Sequence, residues 1–298
     1  MTTKAKHQNL NPTTIFKNAW KSFLILIIGI ILTSIATIYT KNELEKQSKN
    51  EFALDCNEIK TKITTRLHSQ AQLLRTGSSF FAATDTITRK GWKKFNDNSN
   101  LNKNLPGIQG YGFSLIVNKE QLQQHIQNIQ KEGFPKYTVH PSGDRDIYTS
   151  IIFLEPFDIR NQQAFGYDMF SESVSRQAME QARDFNIAAL SGKVLLVQEI
   201  DEDLQAGTLM YVPVYQKGMP TSTVEDRRKA ILGWVYSPYR MANLMHGILG
   251  RWDLNDAHKI HLQVYDNDSI SKNSLLFDSQ HNDTIGHNDK FNRILTIP

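Results

Sequence analysis

Cysteine is almost missing from this 298-residue sequence. The single Cys56 has no partner in the chain, so no internal disulfide framework exists and a hydrophobic core has to supply the stability. An excess of one charge is also missing: 34 Lys and Arg stand against 30 Asp and Glu, and the net charge of +4 is spread along the chain. With no arginine-rich helix and no aromatic-basic signature, nucleic acid is excluded as the expected partner. The motifs of common chemistries are absent too. There is no Gly-x-Ser-x-Gly elbow for a serine nucleophile and no His-Glu-x-x-His pair. Gly110 and Gly112 lack the rest of a phosphate-binding fingerprint and its lysine, so close backbone packing explains them better. Nothing points to a cofactor, and no internal repeat is visible. At 40% hydrophobic and 21% charged residues the chain is neither disordered nor fibrous. Its length suits one or two cores at ~100–200 residues per domain.

What is present begins with an uncharged run, SFLILIIGIILTSIATIY, from Ser22 to Tyr39. With Trp20 ahead of it, the run approaches the ~20 residues a helix needs to cross the hydrocarbon layer. Lys4, Lys6, Lys17 and Lys21 precede it with no acidic residue, whereas Lys41 and Lys46 beyond it are balanced by Glu43 and Glu45. That bias places the N-terminus in the cytoplasm and the rest outside, with Trp20 and Tyr39 at the two interfaces. A cleaved signal peptide is the competing reading, but the run is longer than a usual signal core and no small-x-small cleavage site follows.

Phe52, Cys56, Ile59, Ile63, Leu67, Ala71, Leu74 and Phe81 then recur at spacings of three and four, which predicts one long amphipathic helix. Continuous with the span, it serves either as a core helix or as a stalk that pairs with a second copy. Cys56 on its apolar face reads as packing. Further on, the pattern predicts a strand in PGIQGYGFSLIV, a helix from Glu120 to Lys131, a strand from Tyr148 to Phe153 and a helix from Ser171 to Asn186. Strands are predicted in VLLVQE from Val194 and TLMYVPVY from Thr208, with Gly207 at the turn between them. Ser222 and Glu225 fit a capping box, ILGWVY reads as a strand with a helix in Pro238 to Leu249, and HLQVY ending at Tyr265 reads as one more strand. Asp266 to Lys290 reads as a polar loop. Adjacent hairpin-like strands with intervening helices predict an α+β fold with an antiparallel sheet.

Among chemistry-bearing residues, His258 and His261 lie three apart, with His246, His281 and His287 elsewhere. In a strand entry that spacing does not put two rings on one face, so a metal site is not expected. Glu155, Asp158 and Asp168 cluster around one turn and leave open a carboxylate hydrolase. Asp168, after a strand and ahead of a helix, also suits helix capping, an ion pair with Arg145 or Arg160, or hydrogen bonding to a ligand in an apolar pocket.

Read in order, Arg145, Tyr148, Glu155-Pro156, Asn161, Gly166-Tyr167-Asp168, Arg176, Ala178-Met179, Ser191-Gly192-Lys193, Gln198-Glu199 and Pro213-Val214-Tyr215 resemble the pattern of the CHASE family. The stretch from Thr223 to Gly250 and the strand ending Val264-Tyr265-Asp266 also resemble the second half of plant cytokinin-receptor ectodomains, so the likeness runs from about Leu74 to the C-terminus. The resemblance implies a stalk helix carrying two tandem PAS-like subdomains, a ligand pocket in the membrane-distal one and homodimerisation through the stalks. It also implies a second span and a histidine kinase, diguanylate cyclase or phosphodiesterase output, none of which is read in this sequence; a fragment of a longer receptor or a truncated gene is expected, and an ending inside an apparent strand favours the fragment. By position Asp168 matches the family aspartate that contacts ligand, and Leu196 a pocket-strand residue. Alternation adds Val194 and Gln198 to the face of Leu196, with Tyr148, Ile152 and Met210 as facing partners.

The expected organisation is therefore a cytoplasmic segment 1–21, a transmembrane helix 22–40, a stalk 41–84, a distal ligand-binding subdomain 85–222 and a proximal one 223–298. The expected function is sensing of a small organic molecule, adenine-like or otherwise heteroaromatic, outside a bacterial inner membrane, with no catalysis in this chain. The ligand-binding residues expected are Asp168, Tyr148, Leu196, Gln198, Met210 and Ile152. The lipid bilayer and a second copy of the chain complete the expected partners.

Overall fold

The computed structural model describes residues 12–99, 108–198, 205–250, 260–267, 269–279 and 291–297. Helix α1 runs unbroken over Pro12–Ala83. At 1.5 Å per residue, its uncharged stretch from Ser22 to Tyr39 covers about 27 Å, close to the ~30 Å of a bilayer core. Its large side chains are all exposed, Ile25 at 70% and Phe23 at 65%, so no protein core accounts for their apolarity. By length and composition this is a helix able to cross a membrane.

Two compact units divide the chain. The first takes α1 up to Ile59 together with the C-terminal segment to Thr296. Within it Phe52 stacks on Phe291 with centroids 5.8 Å apart, and Arg293 Nη1 donates to the Ala53 carbonyl at 3.0 Å.

The second unit is built on a five-stranded antiparallel sheet of order β2-β1-β5-β4-β3. Its strands are β1 (Tyr111–Asn118), β2 (Ile147–Glu155), β3 (Ala189–Leu190), β4 (Gly207–Tyr215) and β5 (Ile231–Arg240). Helices α2 (Arg89–Ser99), α3 (Leu122–Lys131), α4 (Ile159–Gln162), α5 (Ser173–Phe185), α6 (Val224–Ala230) and α7 (Met241–Leu249) connect them. A separate hairpin pairs β6 (Gln263–Tyr265) with β7 (Leu275–Asp278).

Each face of the sheet meets different helices. Toward α1 and α2, Trp92 stacks on Tyr111 at 5.3 Å and Phe153 at 5.9 Å, while Phe81 lies 4.1 Å from Phe113. Tyr111 donates its hydroxyl to the Leu73 carbonyl of α1 at 2.8 Å, and Ser78 donates to the Pro213 carbonyl at 2.8 Å. A Cβ at Gly77 would overlap the Tyr111 hydroxyl, so only glycine lets helix and sheet approach this closely here. On the other face Ala178, Met179 and Ala182 of α5 pack against Tyr211, Trp234 and Tyr236, and the Trp234 indole donates to the Met179 carbonyl at 2.9 Å.

Several expectations are corrected. Val194 to Gln198 is not a strand, Glu199 lying outside the described residues: Val194 forms one bridge to Gly207 and the chain then turns, the edge strand being Ala189–Leu190. The capping box lies one residue later than expected, with Thr223 Oγ1 accepting from Asp226 N at 3.1 Å and the Asp226 carboxylate accepting from Thr223 N. Strand β5 continues through Pro238 and α7 starts only at Met241. The polar segment after Asp266 contains β7. Strand β5 pairs with β1 on one side and β4 on the other, so the sheet draws its central strand from beyond residue 222 and does not end at the expected boundary.

Candidate functional site

The α5 face of the sheet holds a small cavity of about 30 Å³, room for about two waters. Ile151 of β2, Leu209 of β4 and Tyr236 of β5 form its sheet wall. Met169 of a 3-10 turn, Glu172 and Ser175 at the head of α5, and Ala164 and Tyr167 form the facing wall. The turn from Val194 to Gln198 closes it. Leu196 sits where a Cβ on Gly207 would lie 2.5 Å from its Cγ, so the glycine makes room for that side chain.

The polar groups on this wall have defined roles. Glu172 caps α5, its two carboxylate oxygens accepting from Val174 N at 2.9 Å and Ser175 N at 2.7 Å. Among the described residues no Lys or Arg pairs with it. Tyr236 is fully buried and its hydroxyl has no hydrogen-bond partner among the described residues. Burial lifts its ionisation far above the ordinary phenol range, so it is a neutral donor. The Tyr211 hydroxyl, 3.6 Å from Met169 Sδ, is raised by the same cause.

Of the six residues expected to bind ligand, the structure puts Leu196 and Gln198 on the cavity wall and four elsewhere. Asp168 is fully buried, but its Oδ1 accepts from Thr149 N at 2.8 Å, Thr149 Oγ1 at 3.0 Å and Phe170 N at 3.1 Å. Its Oδ2 takes Arg145 Nε at 2.9 Å. Four donors occupy the carboxylate, which caps the 3-10 turn Met169–Ser171. Tyr148 donates to the Gly143 carbonyl at 2.7 Å and accepts from Arg145 N at 3.1 Å, which fastens the loop before β2. Ile152 is the extra residue of a β-bulge, since Phe113 pairs with Phe153 and Ser114 with Ile151. Met210 pairs with Leu190 and Ser237 and, by alternation, faces away from Leu209 and Tyr211. Two assumptions explain the misplacement: alternation was applied to a segment that turns, and the bulge shifts the face of β2 by one residue.

Residue reading missed Glu172, Ser175, Tyr236 and Ile151. Alternation along ILGWVY, which puts Trp234 and Tyr236 on one face, was the signal for Tyr236. Of the alternative hydrolase carboxylates, Asp158 accepts from Asn161 N at 2.9 Å as the cap of α4, and Asp168 is committed as above. Glu155, at the end of β2, is raised chiefly by burial. His261 Nε2 lies 2.7 Å from Asp278 Oδ1, while His258, His281 and His287 fall outside the described residues. Among the described residues no His, Cys, Asp and Glu group suited to a metal occurs.

An apolar helix long enough to cross a membrane and a mixed helix and antiparallel-sheet unit with a small cavity are consistent with a membrane receptor. Comparison makes the assignment firm: the CHASE domain profile matches residues 85–277, and the chain belongs to the CHASE family. It is also similar to "Hybrid signal transduction histidine kinase A" of Dictyostelium discoideum, 21% identical over 278 residues, which is 88% of this chain and 13% of that protein. Among solved structures it resembles the ligand-binding domain of the Pseudomonas aeruginosa PAO1 amino acid chemoreceptor PctC in complex with GABA. That likeness has a TM-score of 0.40 and 12% identity, over 74% of this chain and 71% of the other. Residues 85–277 thus carry the domain of a sensory family.

Proposed function

We propose that the protein senses a small organic molecule outside the cell membrane, and that the ligand enters between the sheet and α5, displacing the turn from Val194 to Gln198. The observation that carries this reading is the cavity itself, lying within the family-matched residues and lined in part by Tyr236, whose buried hydroxyl has no partner among the described residues. The five-stranded unit, extended to the end of β5, is the distal PAS-like subdomain, and the proximal one follows it. Homodimerisation through α1, an N-terminus in the cytoplasm and an output by a histidine kinase or a cyclic-dinucleotide enzyme complete the proposal. The long kinase relative, of which the chain spans 13%, supports the kinase output.

The structure offers a route from cavity to stalk. Glu172 and Ser175 at the head of α5 line the cavity. At the other end Asn186, in a left-handed conformation, closes the helix, and Arg75 of α1 donates to its side-chain and backbone oxygens, each at 3.0 Å. A ligand that favours one setting of α5 therefore biases α1, provided its affinity differs between the two settings.

The test is a metabolite screen by thermal shift on the full chain in detergent, run beside Ala164→Leu, which fills the cavity. Ligands that stabilise the wild type and not the variant support the reading. A library with no stabilising compound, or one whose hits ignore the variant, refutes it.

A further inference from the structure

We infer that the β6–β7 hairpin latches the turn that closes the cavity, with the Asp266 carboxylate as the catch and the Lys193 N–H as the point it holds. This rests on the ligand-binding reading above and assigns that site its control of access.

Two stretches that carry the family likeness, Ser191-Gly192-Lys193 and Val264-Tyr265-Asp266, touch each other here. Strand β4 fixes the root of the turn on both sides of Lys193. Ser191 N donates to the Leu209 carbonyl at 2.7 Å and Ser191 Oγ accepts from Leu209 N at 2.9 Å, while Val194 and Gly207 exchange both backbone hydrogen bonds at 2.9 Å. Lys193 N, between them, donates instead to Asp266 Oδ2 at 2.9 Å, a bond to a charged acceptor. The carboxylate reaches far in: a Cβ on Gly192 would lie 2.6 Å from its Oδ2 and 3.1 Å from Val174 Cγ1 at the head of α5. Gly192 is thus where hairpin, turn and α5 come together. Lys193 Nζ adds a longer bond to the Lys272 carbonyl at 3.4 Å. The catch is itself well supported. Asp266 N donates to the Ser274 carbonyl at 2.7 Å across the hairpin, and buried Phe277 of β7 meets the His246 ring of α7 edge-on, with centroids 5.8 Å apart. One residue on, the Gly247 carbonyl accepts from Arg66 of α1 at 3.2 Å. The residues from Val194 to Gln198 form the closing wall of the cavity, so a ligand that moves them pulls against the Asp266 contact. A latch of this kind keeps the turn over an empty cavity and makes entry depend on where the hairpin sits.

Hydrogen exchange on the full chain in detergent, read amide by amide, tests the latch without any ligand. The readout is the amides of Val194 and Gly207, which brace the turn and are bonded to each other's residues, not to Asp266. Asp266→Ala should speed their exchange by about ten-fold, roughly the weight of one hydrogen bond to a charged acceptor. Asp266→Asn keeps an acceptor oxygen and should recover most of the protection. Gly192→Ala reaches the same contact from the other side. Its added carbon pushes the carboxylate away while the hairpin sequence stays intact, and it should speed the two amides by a similar factor. If Val194 and Gly207 exchange at the wild-type rate in Asp266→Ala and only the Lys193 amide is faster, the contact is local and the inference is overturned. If Asp266→Ala also frees the amides of β6 and β7, the hairpin itself has loosened and Gly192→Ala decides: wild-type rates at Val194 and Gly207 overturn the latch, faster ones support it. A result against the latch leaves the cavity a ligand site, while the metabolite screen decides the sensing reading separately.

Discussion

The two faces of the five-stranded sheet are made from the same strands but are finished differently. Toward α1 the space is filled with rings, Trp92 being 1% exposed among Tyr111, Phe153 and Phe95, and the Tyr111 hydroxyl is tied to the backbone of α1. Toward α5 small side chains, Ala164, Ala178 and Ala182, meet the rings of the sheet and a cavity remains; each face keeps a buried polar group without a partner among the described residues, the Trp92 indole nitrogen on one and the Tyr236 hydroxyl on the other. A filled face holds its shape and passes on displacement, because packed interiors are hard to compress. An under-filled face is the one with room to gain contacts from a ligand. The arrangement suits a sensor, with the receptive side and the rigid side back to back on one sheet.

The largest test of that contrast is a pair of truncations. Trp92→Ala should cost about 3–5 kcal/mol of stability, as large buried rings do when the surroundings cannot collapse. Leu196→Ala, beside the cavity on a turn, should cost nearer 2 kcal/mol, the low end for Leu to Ala. Thermal and urea unfolding of both measure this; equal costs would erase the distinction between the faces.

Next in size is Asp168→Ala, expected to cost about 2–3 kcal/mol by stranding Thr149 N and Arg145. Ligand affinity measured on the surviving folded fraction should be nearly unchanged, because Asp168 serves the 3-10 turn and not the cavity wall. A large loss of affinity with little loss of stability would return Asp168 to the binding role.

A smaller effect concerns the rim of the α5 face. Asp184, at the end of α5, is held down to about 2 by hydrogen bonds from Arg228 and Arg183. Its folded value lies below the ordinary 3.8, so the unfolded chain takes up the proton first as pH falls. The stabilisation is therefore complete above about pH 5 and is lost between about 5 and 2. Arg228 is 55% exposed and solvent screens the pair, so the contribution is modest. Asp184→Asn should lower the urea midpoint at pH 6 and leave it almost unchanged near pH 2; an equal drop at both would exclude the ion pair as the cause.

Much of this organisation was legible in the residues. The uncharged run, the alternation in β1, β2 and β4, and the helical spacing of Val174, Ala178 and Ala182 are local patterns that hydrophobic periodicity reports directly. The errors arise where local pattern and tertiary demand part. VLLVQ has strand-forming side chains, but after the two-residue edge strand β3 the chain turns over Gly207 to cap the cavity. Ser222-x-x-Glu225 and Thr223-x-x-Asp226 both fit a capping box, and only the three-dimensional course of the chain chooses the second. The site suffered most, because Glu172 reads as a surface residue until the head of α5 is seen against the sheet.

The finest comparison deletes one oxygen from each face. Tyr111→Phe removes a hydroxyl that donates to the Leu73 carbonyl at 2.8 Å, so it should cost about 1 kcal/mol, the net worth of a typical hydrogen bond. Tyr236→Phe removes a hydroxyl that has no bond to lose and is already paying its desolvation, so stability should hold or rise by up to about 1 kcal/mol. The same chemical change should therefore carry opposite signs on opposite faces of one sheet. Paired urea titrations of the two variants resolve the difference. If Tyr236→Phe destabilises as much as Tyr111→Phe, the hydroxyl has a partner in solution, such as an ordered water, and the cavity is already satisfied without a ligand.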